Sequence, residues 1–330
     1  MDIRKIDTNM QENKEILAPL VKYYDLNNHY LRGLAFSNGF NRLRESDFVS
    51  DNVLALQRHT SGVNITFSTN SKSIRIKAKL DSASYMVHMT AIGQVGFDLY
   101  IKNNERFIFL STTKINKPNY EVTFVEGLDG NVYTYRVYFP LYMGVKEAFI
   151  GIDEDAFITF SKPVQEKVVI YGTSISQGGC ATRPGMSYSN ILDRKTNYEL
   201  INLGFSGSAH LEPKMADILN EVEMKYLILE VEANNTSAGL ASKLEIFINR
   251  LKVENIILIS HFPISMSLIK EEVKAEINKN FEFQKSIKNV TFIDGKKLLE
   301  ELDYDETVDG VHLTDLGFWM VANKLKEYLK

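Results

Sequence analysis

A chain of 330 residues with 44% hydrophobic and 24% charged residues has an ordinary globular composition, and it is long enough for two domains, each with its own core. A formal charge of −4 gives no electrostatic case for nucleic acid or an anionic membrane surface, and no apolar run approaches the ~20 residues of a membrane span. The single cysteine, Cys180, excludes an intramolecular disulfide and a cysteine-rich zinc site; since MDIRKIDTNMQENKE lacks the apolar run of a secretion signal, the cytoplasm is the expected compartment.

Taken in chain order, KEILAPLVK (residues 14–22) predicts a short helix interrupted by Pro19. The period then changes to two. VNITFSTN places Val63, Ile65 and Phe67 on one face, and SIRIKAKL does the same with Ile74, Ile76, Ala78 and Leu80. Alternation continues through ERFIFL, YEVTFVEG, VYTYRVYF and EAFIGI, with Asn, Gly, Pro and Ser turns between, which predicts an antiparallel β-sandwich. His59 in RHTSG and Asp98 in GFDLY are its most notable polar residues, and both read as turn or strand-end hydrogen-bonding groups.

After SKPVQEK the pattern switches to alternating strands and helices, so the boundary is expected near residue 163, dividing the chain into units 1–163 and 164–330. Apolar runs at 168–171, 199–203, 226–231, 255–259 and 290–293 predict five parallel strands. Amphipathic stretches lie between them: Tyr188, Ile191 and Leu192; Met215, Ile218, Leu219 and Val222; Leu240 to Leu251; and residues 269–288. A last helix over 314–329 has Thr314 as its N-cap. The outcome is a doubly wound sheet covered on both faces.

In such a sheet, chemistry collects at the carboxyl ends of the strands. The first strand breaks abruptly into Gly172-Thr173-Ser174-Ile175-Ser176-Gln177-Gly178-Gly179, a tight turn that exposes a serine hydroxyl beside backbone N–H groups. The turn lacks the Gly-Lys-Ser/Thr ending of a phosphate loop, and Ser176 departs from a G-x-S-x-G elbow. Later ends carry Gly204-Phe205-Ser206-Gly207, Asn234-Asn235, His261 and Asp294, followed by the loop Asp309-Gly310-Val311-His312. A serine nucleophile needs a base near neutrality, and that base needs a carboxylate to fix its tautomer. Asp309 and His312, three residues apart, meet within one loop. The Ser174 N–H, a glycine N–H near Gly207 and the Asn234 amide supply donors for an oxyanion. Singly, each has a plainer reading: a permissive turn glycine, a helix cap near Ser237, a loop before a helix. Cys180, next to the turn, reads as a small packing residue.

GTSISQGG, NLGFSG, VEANN and DGVH, in this order, resemble the four sequence blocks of the SGNH (GDSL-like) hydrolase superfamily, over about the C-terminal half. GFDLY (Gly96 to Tyr100) resembles the G-x-D-L-Y signature of a β-sandwich domain found ahead of one branch of these hydrolases, and GGCATRPGMSY is similar to that branch's extension of block one. The resemblance implies a flavodoxin-like five-stranded parallel sheet following the sandwich, Ser174 as nucleophile, Asp309 and His312 as acid and base, and Ser174, Gly207 and Asn234 as the oxyanion hole. Gly207 is chosen over Gly204 because Asn202 begins the second block. It also implies an esterase acting on a small or carbohydrate ester, with acyl transfer as the alternative.

Three positions depart from the pattern. Thr173 stands where Asp is frequent, at a place the triad does not use. Glu232, two residues before Asn234, falls on the same side by strand alternation and would oppose an oxyanion. Either Glu232 turns into solvent, or activity is weak or tuned to a cationic substrate, and a carbohydrate-binding protein with a weakened site is the rival reading it motivates. Leu313 replaces a common proline and predicts a looser histidine loop. Arg183 and His210 are the remaining expected substrate contacts, and His261 is a rival base disfavoured by having no carboxylate nearby in sequence. No metal or organic cofactor is expected, the partner is a small-molecule or carbohydrate ester, and self-association is left open.

Overall fold

The computed structural model describes residues 2–14, 21–163, 166–237, 239–265, 270–299 and 303–330. The first part of the chain builds two antiparallel sheets from β1 (Val21–Asp25), β2 (Leu31–Arg32), β3 (Asn64–Thr69), β4 (Ile74–Leu80), β5 (Asp98–Asn103), β6 (Arg106–Thr112), β7 (Asn119–Val125), β8 (Tyr133–Tyr138), β9 (Val145–Asp153) and β10 (Ile158–Phe160). One sheet has the order β1-β9-β4-β7; the other runs β10-β3-β8-β5-β6, with β2 added against β3. Two short helices, α1 (Asp51–Leu56) and α2 (Ala91–Val95), lie in the connections. On β4, Ile74, Ile76, Ala78 and Leu80 point inward and share one core with Ile65, Phe67 and Val137 of the other sheet, which is the period-two pattern turned into a sandwich core.

The helix expected over 14–22 falls mainly on residues 15–20, outside the described residues. Its last two positions, Val21 and Lys22, instead begin β1, which pairs antiparallel with β9. The sheet edge offers a run of hydrogen-bonding partners that a proline-interrupted helix could not match.

The C-terminal part forms one parallel sheet from β11 (Lys167–Gly172), β12 (Glu199–Gly204), β13 (Tyr226–Glu230), β14 (Ile256–Ile259) and β15 (Thr291–Ile293), in the order β12-β11-β13-β14-β15. This is the flavodoxin-like winding, whose switch point lies beside the first strand. Val168, Val169, Ile170 and Tyr171 of β11 are fully buried, each contributing about 1.5–3 kcal/mol of apolar burial. One face is covered by α4 (Tyr188–Lys195) and α8 (Asp315–Leu325), through Tyr188, Ile191, Phe318 and Val321. The other packs against α5 (Pro213–Leu219), α6 (Leu240–Arg250) and one side of α7 (Glu271–Ser286). A four-residue turn of helix, α3 (Ser174–Gln177), follows β11 directly. Thr314 caps α8 as its position predicts, its side chain accepting from the Gly317 N–H. Among the described residues no helix is long and apolar enough to cross a membrane.

The two parts are joined by buried charge. Asp193 on α4 receives Arg136 and the Tyr138 hydroxyl from β8, each at 2.5 Å, and Arg32 at 3.2 Å. Asp98 on β5 is fully buried and binds Arg183 at 2.7 Å and the Gly185 N–H at 2.8 Å. Tyr100 adds its hydroxyl to Arg183 at 2.6 Å. The Asp and Tyr of GFDLY therefore hold the loop that follows the Ser174 turn.

Candidate active site

The serine turn is built on β13. Glu230, at the end of that strand, directs Oε2 at the turn and accepts from the Thr173 N–H (3.1 Å), the Thr173 hydroxyl (2.7 Å) and the Ser176 hydroxyl (2.9 Å). Thr173 also caps α3, accepting from the Ile175 N–H, so the residue in place of the frequent Asp has two structural tasks. Burial pushes the Glu230 carboxyl up to about 7, against the opposing effect of these donors. As the first residue of α3, Ser174 has an N–H that no earlier turn of the helix can use.

The histidine arrives from beyond the far edge of the sheet. His312 Nε2 lies 3.0 Å from Ser174 Oγ, and His312 Nδ1 lies 2.8 Å from Asp309 Oδ2. Asp309 Oδ1 accepts the backbone N–H groups of Val311 and His312 as well, which fixes the loop around the carboxylate. Burial raises the Asp309 carboxyl, but the combined His312 and Val311 hydrogen bonds and the nearby imidazole hold it below its usual range. With Nδ1–H donating to Asp309, the Nε2 lone pair faces the Ser174 hydroxyl. The histidine loop is not loosened by Leu313. That side chain is fully buried, and its backbone bridges to Thr307 while the Val308 N–H donates to the His312 carbonyl at 2.7 Å.

The residues expected to donate to an oxyanion lie at the neighbouring strand ends. Asn202 on β12 spans from the Ser176 carbonyl (2.7 Å) to Ser189 (2.8 Å) and accepts the Gly204 N–H. Gly204 packs against α3 so closely that a Cβ there would lie 2.2 Å from the Gln177 nitrogen. Gly207, at φ +65° with open space around its Cα, is the exposed member of the segment. Asn234 accepts the Ala209 N–H on its Oδ1 at 3.1 Å, which directs its amide donor away from Ala209. It does not cap the following helix, whose N-cap is Gly239.

Other expected contacts lie elsewhere. Arg183 is held by Asp98 and Tyr100, and its guanidinium stacks on Phe109 at 3.9 Å, so it is a joint between the two parts of the chain. Glu232 is 1% exposed and faces away from the turn, accepting from the His261 N–H (2.8 Å) and Gln284 (2.7 Å). The alternation argument fails there because β13 ends at Glu230 and residues 232–234 form a 3-10 turn. His210 touches the site through the Asn234 carbonyl, 3.2 Å from its Nδ1. His261, buried, bonds the carbonyl of Phe262.

Several residues at the site carry no signal in a D-x-x-H or strand-end search. Gln177 receives the Ser206 N–H on Oε1 at 3.0 Å and donates Nε2 to His59 Nδ1 at 3.0 Å and to the Leu141 carbonyl. His59 is thereby an acceptor, and burial together with nearby Arg42 pushes its imidazole down to about 4. The Tyr142 hydroxyl donates to the Ser174 carbonyl at 3.2 Å, and the ring of His88 lies 5.8 Å from that of His312. The one available clue was Glu230, a charge inside the apolar run YLILEV.

Residues 165–330 match the GDSL-like Lipase/Acylhydrolase family, and residues 21–158 match GxDLY, the N-terminus of SGNH-hydrolase-type esterases. A GDSL-like lipase from Bacteroides ovatus, 28% identical, superposes with a TM-score of 0.87 over 94% of this chain and 97% of its own. The salicylyl-acyltransferase SsfX3 from a tetracycline biosynthetic pathway, 16% identical, shares the fold at a TM-score of 0.68, covering 96% of each chain. A family two carbohydrate esterase from Cellvibrio japonicus, 11% identical, does so at 0.59 over 94% of this chain and 97% of its own. No curated protein matches the chain.

Proposed function

The chain belongs to the GDSL-like lipase/acylhydrolase family and is an SGNH-type esterase; from that premise we propose that it deacylates a small or carbohydrate ester through an acyl-enzyme on Ser174. The observation that carries the reading is the unbroken chain Ser174 Oγ, His312, Asp309, with links of 3.0 and 2.8 Å. His312 Nε2 takes the serine proton as Oγ attacks the ester carbonyl. Asp309 keeps the proton on Nδ1 and stabilises the imidazolium that forms. The Ser174 N–H, the Gly207 N–H and the Asn234 amide receive the oxyanion. His312 then returns its proton to the departing alcohol, and water deprotonated by the same nitrogen frees the acid.

The site opens to solvent, with His312 and Asp309 side chains 24% and 36% exposed, which gives water a route to the acyl-enzyme and supports hydrolysis over transfer to another alcohol. The fold shared with carbohydrate esterases fits a sugar ester as substrate. Residues 1–163 act in this reading as an accessory sandwich that braces the catalytic unit 164–330. The inward turn of Glu232 supports an active site over a weakened one. Turnover of p-nitrophenyl acetate and of acetylated sugars by wild type and Ser174→Ala tests the proposal. A folded Ser174→Ala protein is expected to lose nearly all turnover, with wild-type rates in that variant ending the reading.

A further inference from the structure

Three segments distant in sequence meet at the exposed edge of the catalytic imidazole. The loop 84–90 is fixed by Gln94, which accepts the Tyr85 and Met86 N–H groups and donates to the Met86 and Met89 carbonyls. Thr90 then reaches the Thr182 carbonyl, and Gly93 packs against the Ala181 carbonyl. Thr182 in turn binds Asp315, just beyond His312, through its N–H at 2.9 Å. His88, Cys180 and His312 are thus presented by elements already stapled together, and one ligand atom of each lies within 4.8 Å of the other two.

We propose that His88, Cys180 and the Nε2 of His312 form a binding site for a divalent ion of the zinc class, and that its occupation switches the hydrolase off. The regulation rests on His312 being the base proposed above. One thiolate and two imidazoles are a borderline-soft donor set that suits zinc, with one tetrahedral position left for water. Bond lengths of ~2.0–2.3 Å place such donors about 3.3–3.6 Å apart, so occupation requires the three ligand atoms to close in from within 4.8 Å of one another, the exposed His88 by turning its side chain and Cys180 and His312 by a small approach of their own. Nδ1 of His312 is engaged by Asp309, so the nitrogen offered to the ion is the one facing Ser174. The Cδ2 beside it would lie 3.2 Å from a Cβ at Gly179, placing that ring edge against the segment that carries Cys180. On binding, the Cys180 thiol releases its proton to solvent and the sulfur bonds the ion. The Nε2 lone pair, which carries no proton, bonds the ion as well, and its hydrogen bond with the Ser174 hydroxyl is lost. The ion is an inhibitor, not a cofactor.

The test uses the full chain with zinc chloride, and cobalt chloride as a spectroscopic probe. In wild type, zinc is expected to abolish ester turnover at one ion per chain, with full recovery on adding EDTA. His88→Ala and Cys180→Ser, neither a member of the triad, are expected to keep turnover and to need at least about tenfold more zinc, since even substitution of residues behind a ligand costs ~10–100-fold in metal affinity. Cobalt is expected to give a thiolate charge-transfer band in wild type and in Ser174→Ala, but none in Cys180→Ser. Equal zinc sensitivity in wild type and both variants, or no such band in wild type, overturns the proposal. The cobalt band does not depend on turnover, so a failure of the esterase reading leaves it intact, whereas a failure of the metal site removes it and leaves turnover unchanged.

Discussion

The Glu230 carboxylate accepts the Thr173 hydroxyl at 2.7 Å, immediately below the turn that presents Ser174. A strand-end carboxylate thus fixes the Ser174 turn from beneath. Glu230→Leu would leave the buried Thr173 hydroxyl without its acceptor, at roughly 1–3 kcal/mol, while the Thr173 N–H keeps the Glu230 carbonyl and the Ser176 hydroxyl keeps Tyr188. Thermal or urea unfolding should show a loss of about that size, with Glu230→Gln keeping most of the stability and kcat falling about tenfold at unchanged KM. A Glu230→Gln enzyme with unchanged kcat would remove Glu230 from the positioning of Ser174.

Glu230 also shapes stability against pH. Its folded value is raised from 4.5 to about 7, so the native state binds more protons than the unfolded chain in that interval. The stabilisation is complete at low pH and is lost as pH rises through about 7. His59 acts oppositely: its folded value is lowered from 6.5 to about 4, so its contribution is complete above 6.5 and disappears as pH falls toward 4. Urea midpoints measured from pH 4.5 to 7.5 should therefore slope more steeply upward with pH in Glu230→Gln, and less so in His59→Gln, than in wild type. Parallel profiles for all three proteins would contradict both assignments.

Arg183 should behave as a joint. Asp98→Ala leaves its half-buried guanidinium with the Tyr100 hydroxyl but without a negative charge, and breaking a buried ion pair costs about 3–5 kcal/mol. Arg183→Ala is expected to lower the unfolding midpoint and kcat while KM for small esters moves less than threefold. A stable Arg183→Ala protein whose KM rises more than tenfold would restore Arg183 as a substrate contact.

Much of this architecture could be read from residue patterns, because the informative relationships are local. Period two specifies β4 through Ile74, Ile76, Ala78 and Leu80, and Asp309 and His312 meet within one loop. Arg183 was illegible because its partner Asp98 lies 85 residues away. Glu232 was misread because alternation holds only while a strand lasts, and β13 stops two residues earlier. Val21 and Lys22 joined a strand because β9 offers an edge that no local pattern reveals.

Asn234 and Gly207 are expected to act on the transition state alone. Asn234→Ala should reduce kcat by ~10²–10³ with little change in KM, as measured with p-nitrophenyl acetate. A proportionate rise in KM at constant kcat would make Asn234 a substrate-binding residue.

In the proposed mechanism the Ser174 hydroxyl is activated by His312. Intact-protein mass spectrometry after brief fluorophosphonate treatment, followed by peptide mapping, tests it most directly. One adduct per chain is expected, on Ser174, formed rapidly in wild type and slowed at least ~10³-fold in a folded His312→Ala protein. An adduct on another residue, or equal labelling of Ser174 in the two proteins, would contradict it.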